Sequence, residues 1–347
     1  MFVGGCTAMN KNKPPFTLTN EMVNLVAEIT EKLGRLEESN KVGNNLHLRR
    51  ENRIKTVKST TAIENNTLSL KQVTDVINGK IVMGKSDEII EVKNSFVSYE
   101  KMYEYNPFII KSFLQAHKYI TANLVKSSGK FRSGDVGVFD GDKVIHMGAR
   151  PEFVHGLITD LFEWAEDTDT HPLIVSAVVH YEIEYIHPFE DGNGRIGRLW
   201  QTTILSKWKA IFEYIPIETI VYKYQQDYYD SLSLSRKDNS SNKFILFMLE
   251  AINESLDEFD GIEITDIITD KFTDKLSPMQ LRVLTYMIKY LLTHESVTNQ
   301  KARELINKSA ESTKKYLNSL VDAKILISTG ENKGRKYKLN EAALRSE

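Results

Sequence analysis

Apolar residues set a helical rhythm over most of this chain. Met22, Leu25, Val26, Ile29, Leu33 and Leu36 recur three and four apart, which predicts an amphipathic helix over residues 20–37. More helix is expected through about residue 125, broken by short polar stretches and without the alternation of a strand. The pattern changes at Ser128-Gly129. From Phe131 to Met147 glycines and valines surround an Asp140-Gly141 turn, the signature of a β-hairpin. Phe153, Leu157, Ile158, Leu161 and Phe162 then line one helical face, and His171-Pro172 opens a further helix reaching Tyr185. A glycine-dense loop, Gly192 to Gly197, interrupts the periodicity before helices resume to about residue 260. The chain carries no internal repeat.

The last stretch differs. Ser277-Pro278-Met279-Gln280 combines a cap, a proline in the first turn and a glutamine three residues after the cap, a strong helix start. Two short helices follow, at about 299–306 and 310–322. Ile325-Leu326-Ile327, a turn around Gly330 to Gly334, and Tyr337 to Leu339 read as a small hairpin. Three helices and a hairpin make a winged helix-turn-helix over 276–340. That region holds twelve Lys/Arg against five Asp/Glu, about +7, while the remainder is about −9. At the other end residues 1–16, closing on Lys13-Pro14-Pro15, read as a disordered arm. Between the two lie an N-terminal helical region, 17–125, and a core, 126–265.

Composition narrows the class. At 347 residues, 41% hydrophobic and 27% charged, the chain can bury one large core and a small one, or two of medium size. No apolar run of about 18 residues is present, so no membrane span is expected. Cys6 is the only cysteine; an intrachain disulfide is impossible and a reducing cytoplasm fits. The segment Met1 to Ala8 around Cys6 is apolar but short and lacks a charged n-region. It reads as an unstructured start ahead of Met9 rather than a secretory or lipoprotein signal. A net charge of −2 does not mark the whole molecule as a nucleic-acid binder.

Chemistry concentrates in His187-Pro188-Phe189-Glu190-Asp191-Gly192-Asn193-Gly194-Arg195-Ile196-Gly197-Arg198. Three glycines and an asparagine within six positions allow positive φ, so the loop can turn several N–H groups inward as an anion nest. A helix beginning near Arg195 adds positive partial charge at that spot. Arg195 and Arg198, three apart, project from one side of its first turn and suit phosphate oxygens. Asp191 offers a hard oxygen of the kind Mg²⁺ takes beside substrate phosphates. His187 is the group whose ordinary pKa lies near neutrality, fit to accept a proton. Together these form a polyphosphate-transfer constellation. The loop is neither a Walker loop, lacking Lys-Ser/Thr after the glycines, nor a dinucleotide fingerprint, lacking a preceding strand. His180, Glu184 and His187 share a helical face and could hold a metal, although Pro188 is expected to end the helix and re-aim His187. Phe189 reads as a core anchor.

The segment resembles, position for position, the Fic family signature HPFx(D/E)GNGRxxR, and the resemblance extends over roughly residues 17–260. It implies a mainly helical Fic fold and, for most members, transfer of AMP from ATP to a Ser, Thr or Tyr of a protein. His187 would deprotonate the target hydroxyl, which would attack the α-phosphorus as pyrophosphate leaves. Asp191 would hold Mg²⁺, the N–H groups of Gly192, Asn193 and Gly194 would cradle the phosphates, and Arg195 and Arg198 would neutralise the β/γ end. Ile196 and Gly197 complete the segment that faces the nucleotide.

Upstream, Thr60-Thr61-Ala62-Ile63-Glu64-Asn65 matches the family's inhibitory pattern (S/T)xxxE(G/N). By that resemblance Glu64 would pair with Arg198 and stand where the γ-phosphate belongs, since a carboxylate and a phosphate compete for one guanidinium. In relatives such a glutamate can also assist removal of AMP. The hairpin, within 131–148, resembles the flap that aligns an extended target segment by strand addition. Tyr228-Tyr229 resembles a tyrosine pair near the adenine pocket; the same residues could equally be core. Relatives often carry asparagine a few residues on, where this chain has Arg236.

Two readings of 276–340 stand side by side: DNA contact through the helix 310–322, with Lys314 and Lys315 exposed and Lys333, Arg335 and Lys336 on the wing, or contact with a protein, target or a second copy of the chain. Family members often form dimers, so a homodimer is compatible with the resemblance. The rival to an autoinhibited adenylyltransferase is a nucleotide-sensing DNA-binding regulator; a Fic enzyme moving another phosphate-containing group is a third reading.

Overall fold

Helices supply nearly all regular structure of residues 13–38, 46–140, 143–272, 275–291, 294–330 and 335–340, which the computed structural model describes. In chain order they are α1 (Asn20–Glu38), α2 (Leu46–Ile63), α3 (Leu70–Ile77), α4 (Ser86–Glu100) and α5 (Ile110–Ile120). A two-stranded hairpin follows, β1 (Gly137–Asp140) and β2 (Lys143–Met147). Then come α6 (Pro151–Asp167), α7 (Pro172–Ile186), α8 (Asn193–Trp208), α9 (Ile217–Lys223), α10 (Gln225–Lys237) and α11 (Asn242–Lys271). The mainly helical fold matches the expectation from periodicity.

The chain divides into two compact units, residues 1–256 and 257–347. The division falls inside α11, earlier than the boundary after 265 expected from composition. In the first unit α7 and α8 form the centre. Each buries twelve of its residues, so each is enclosed on nearly every side rather than along one stripe. Trp200, Phe113, Phe162 and Phe189 meet around them with ring centroids 4.9–6.0 Å apart, and the Trp200 indole N–H donates to the Pro107 carbonyl at 2.9 Å. α3 begins on a capping box in which Ser69 and Gln72 satisfy each other's backbone N–H groups.

The expected disordered arm is corrected in part. Residues 1–12 lie outside the described residues, but 13–16 are docked. The Pro15 carbonyl accepts from the Ser241 N–H at 2.9 Å, and Phe16 packs edge-on against Trp164 at 5.9 Å. A Lys-Pro-Pro run suggests disorder. Yet prolines fix φ without needing a donor partner, and they suit an extended segment lying on a helical surface.

The second unit contains α12 (Pro278–Leu291), β3 (Val297–Thr298), α13 (Asn299–Ile306), α14 (Ala310–Asp322), β4 (Leu326–Thr329) and β5 (Lys336–Leu339). Ser277 and Gln280 form the expected capping pair at the start of α12. Val283, Leu284, Met287, Ala302, Leu317 and Leu320 lie in its core. The strands pair antiparallel in the order β3-β5-β4. Three helices and a hairpin are the element order expected of a winged helix; the two-residue β3 is an addition. Residues 331–334, with Lys333 at the expected wing tip, lie outside the described residues. No helix among the described residues is long and apolar enough to cross a membrane.

Candidate active site

α7 stops at Ile186 because Pro188 disfavours a helical residue before it. His187 takes the left-handed region instead, φ 54° and ψ 61°, a costly conformation for a residue with a Cβ. Arg132, from the segment before the hairpin, holds it there. Its guanidinium donates to the carbonyls of His187 (2.7 Å), Gly134 (2.8 Å), Ile186 (3.3 Å) and Ala149, and its own backbone N–H reaches the Pro188 carbonyl at 3.1 Å. A cation thus caps the negative end of α7. The His187 Nδ1 lies 3.3 Å from the Glu184 carbonyl. A carbonyl only accepts, so Nδ1 carries the hydrogen and Nε2 keeps its lone pair. Burial, reinforced by His146, Arg132 and Arg236, lowers the His187 pKa to about 4 against the pull of the Glu184 carbonyl. The imidazole is neutral at ordinary pH.

The loop beyond it is tied from within. Phe189 is fully buried and its ring stacks on His117, 3.6 Å away and nearly parallel. The Gly129 N–H donates to His117 Nδ1 at 3.0 Å, so Nε2 carries the hydrogen and donates to the Asp191 carbonyl at 2.9 Å. Burial keeps His117 neutral, with its pKa lowered to about 4. The Asn193 side chain accepts from the Phe189 N–H (3.0 Å) and donates to the Phe189 carbonyl (2.9 Å). Gly192 sits at φ 85°, and a Cβ there would stand 2.8 Å from the Thr121 methyl, so glycine is required on both counts.

α8 begins here without a side-chain cap and without an acidic residue in its first turn. Its first intrahelical bond runs from the Ile196 N–H to the Gly192 carbonyl at 2.9 Å. The amides of Asn193, Gly194 and Arg195 therefore have no acceptor within the helix, and they lie at the positive end of its dipole. That is the donor set an anion takes. Asp191 stands beside it, its side chain 59% exposed, with Oδ1 accepting from Arg195 at 2.8 Å and from the Gly192 N–H.

The two arginines differ. The resemblance places Arg195 at the phosphate tail; without nucleotide its buried guanidinium bridges Glu91 Oε1 and Asp191 Oδ1, each at 2.8 Å. A cation buried this deeply needs carboxylate partners, and Glu91 and Asp191 supply them. Glu91 also accepts from Asn66 at 2.8 Å; burial raises its pKa while Arg195 opposes the rise. Arg198, 2% exposed, donates from Nε to the Thr60 hydroxyl at 3.0 Å and from Nη2 to Glu64 Oε1 at 2.6 Å. Burial works against its charge, yet the Glu64 carboxylate overrides it and holds the guanidinium above its ordinary pKa.

Glu64 reaches that position because α2 ends on a Schellman turn. Asn65 adopts φ 67°, its N–H donates to the Ala62 carbonyl at 2.9 Å, and the Asn66 N–H donates to the Thr61 carbonyl at 3.1 Å. The glycine-or-asparagine position after the glutamate is thus the left-handed residue that closes the helix. Gln225 Nε2 (2.9 Å) and the Tyr229 hydroxyl (3.0 Å) both donate to the Ile63 carbonyl, fastening the same turn to α10. A Cβ added at Gly194 would collide with the Glu64 carboxylate. The end of α2 and the first turn of α8 are in direct contact.

The tyrosine pair is split. Tyr228 is core, its hydroxyl against His180 Nε2 (3.1 Å) and Glu184 Oε1 (3.3 Å). Tyr229 is 41% exposed. His180 is enclosed between Gln201 and Tyr228, and Ile196 and Gly197 face the interior of α8's packing, Gly197 against His180. Burial raises Glu184 to about 7, with Glu64 adding to the rise. With His187 turned out of helical register, the His180, Glu184, His187 face does not assemble. No metal-binding cluster of three side chains occurs among the described residues. The hairpin pairs antiparallel with an irregularity between Val138 and Phe139; its tip, 141–142, lies outside the described residues. Its base is joined to α7: the Ala149 N–H donates to the Ile186 carbonyl at 3.1 Å, and His146 Nε2 lies 2.6 Å from the Tyr185 carbonyl. Arg132, His117 and Glu91 were not singled out from sequence.

The profile of the Fic/DOC family matches residues 107–205. A crystal structure of a Fic family protein from Desulfovibrio desulfuricans is 37% identical, with a TM-score of 0.69, over 94% of this chain and 98% of that one. A Caenorhabditis elegans protein named protein adenylyltransferase fic-1 is 28% identical over 238 residues, 65% of this chain and 45% of its own length. One from Nematostella vectensis, named protein adenylyltransferase Fic, is 27% identical over 209 residues, 57% of this chain and 46% of its own. The chain spans less than half the length of these curated relatives.

Proposed function

Because this chain belongs to the Fic family, we propose that it is a protein adenylyltransferase that moves AMP from ATP to a protein hydroxyl and is held inactive by Glu64. The reading is carried by one observation. An uncapped, acid-free helix N-terminus stands between a neutral histidine and an arginine that a carboxylate already occupies. The names of the relatives from Caenorhabditis elegans and Nematostella vectensis support AMP as the group transferred.

The residues divide the work as follows. The triphosphate lies on the amides of Asn193, Gly194 and Arg195, where the helix dipole favours negative charge. His187 Nε2 removes the proton of the target hydroxyl; the oxygen forms its bond to the α-phosphorus as the bond to the β-phosphate oxygen breaks and pyrophosphate leaves. Asp191 fits Mg²⁺: it is exposed, both of its protein contacts fall on Oδ1, and it is the carboxylate next to the amide nest. Bound there, Mg²⁺ supplies charge neutralisation for the phosphates. Arg195 orients Asp191, and Arg198 receives the γ-phosphate once Glu64 has left. The hairpin base, joined to α7 through Ala149 and His146, brings an extended target segment alongside His187 by strand addition. With Glu64 in place, the same carboxylate orients a water for removal of AMP.

Glu64→Gly protein incubated with ATP, Mg²⁺ and a lysate of its own source tests the activity. Intact-mass and peptide spectra should show the mass of one AMP on hydroxyl side chains, absent when His187→Ala is added. A different added mass, or none under any lysate condition, overturns the reading.

A further inference from the structure

The second unit carries a surface that the transfer reaction does not use. A groove of about 1100 Å³ opens between the start of α13, the start of α14 and β5, lined among others by Arg303, Lys308, Lys314 and Arg335. Glu304 and Glu311 are its only acids, and Lys301 pairs with Glu304 at 3.1 Å, offsetting one of them. The rest of the lining is uncharged polar residues, Ala310 and Tyr337, whose ring is buried.

We infer that this face binds the phosphate backbone of duplex DNA, with α14 presented to the major groove. α13 and α14 meet at Asn307, φ 50°, a left-handed residue that turns the chain sharply between two helices. Thr313, Leu317 and Leu320 turn one side of α14 into the core, which leaves Glu311, Lys314 and Lys315 exposed on the opposite side. Ser309 caps α14, so its positive end also faces outward beside Lys308. Arg335, just ahead of β5, is half-buried and donates to the Ser328 hydroxyl at 2.9 Å at the edge of the same groove, and β5 exposes Lys336 beside it. A helix pair with an exposed second helix, flanked by a basic strand, is the geometry that reads duplex DNA.

A protein partner fits less well. Such a surface needs an apolar or aromatic anchor at its centre. Among the described residues of this unit the exposed large apolar side chains are Tyr286 and Ile327, and neither lines the groove. The charge distribution points the same way: residues 276–340 carry about +7 against about −9 elsewhere, so a polyanion is drawn to this unit and repelled by the remainder.

The test is fluorescence anisotropy of a labelled mixed-sequence duplex with the full chain across a salt series. Four neutralised phosphates give a slope of log K against log salt of about −3.6. Lys314→Ala/Lys315→Ala, checked for an unchanged melting temperature, should weaken binding at least about tenfold at 50 mM salt and flatten the slope by about 2. Lys71→Ala on α3 should change neither. Three results overturn the assignment: no binding at 50 mM salt, an equal loss in the Lys71 variant, or a folded double variant that binds as well as the original chain. Self-association through this face without duplex binding overturns it in favour of a protein interface. None of these outcomes depends on nucleotide transfer.

Discussion

Glu64 Oε1 lies 2.6 Å from Arg198 Nη2, across 134 residues of sequence, and joins the end of α2 to the second turn of α8. Arg198 is buried and also held by Thr60 from the same helix. The contact therefore fixes both a charge and the position of the end of α2. A phosphate competing for that guanidinium must displace a carboxylate already in a short charge-assisted bond.

Removing the carboxylate leaves a buried cation partly unpaired. Glu64→Gly should lower stability by about 2–4 kcal/mol without nucleotide. Mg-ATP should restore much of it, because a phosphate replaces the lost partner, with about 2.7 kcal/mol gained at a hundredfold excess over Kd. Thermal unfolding with and without Mg-ATP checks this. Equal nucleotide-induced shifts in the variant and the original chain would count against the competition.

The left-handed residue after Glu64 sets the segment's grip. Asn65→Gly should change stability by only a few tenths of a kcal/mol. Asn65→Val should cost about 1–2 kcal/mol. The valine variant alone should also transfer faster, since a strained turn holds Glu64 less firmly. Denaturant midpoints and transfer rates measured together separate the two substitutions.

Glu91 links the turn that closes α2 to Asp191, the proposed Mg²⁺ ligand, through Asn66 on one side and Arg195 on the other. In a Glu64→Gly background, Glu91→Ala should cost about 2–4 kcal/mol of stability. It should also raise the Mg²⁺ concentration needed for half-maximal transfer, because Arg195 then leans wholly on Asp191. An unchanged Mg²⁺ requirement would leave Glu91 a purely structural residue.

The pH profile follows from the buried imidazole. A base works in its unprotonated form, and burial lowers His187 to about 4. Transfer by Glu64→Gly at saturating nucleotide should therefore show no loss of kcat from His187 as pH falls from 8 to 5. Activity falls as pH drops through the folded-state value and the imidazole takes up a proton. An acid limb centred on the ordinary histidine value of about 6.5 would show that His187 is solvated or is not the base.

The helical fold was legible because apolar periodicity is local, and α13 and α14 begin and end where spacing and caps place them. The glycine loop was legible because its residues are contiguous. The supports of the loop were not. Arg132, His117 and Glu91 reach it from 55, 74 and 104 residues away. A lone arginine, histidine or glutamate carries no local pattern that says which distant carbonyl or cation it will meet. The pairing of Arg195 with Glu91 was hidden for the same reason, since Glu91 lies on α4. The facing of Tyr228 and Tyr229 was open from sequence because adjacent helical residues point about 100° apart, and only packing decides which turns inward. The two-residue β3 is too short for any alternation to register.

The most direct test is the initial rate of protein labelling from α-labelled ATP and Mg²⁺ by the original chain, Glu64→Gly, and Glu64→Gly/Arg198→Ala. Loss of a charge-assisted contact of about 2–3 kcal/mol predicts a rise of roughly 30- to 160-fold in Glu64→Gly. Most of that gain should disappear when Arg198 is also removed. Equal labelling by the original chain and Glu64→Gly, or full labelling without Arg198, would contradict the account.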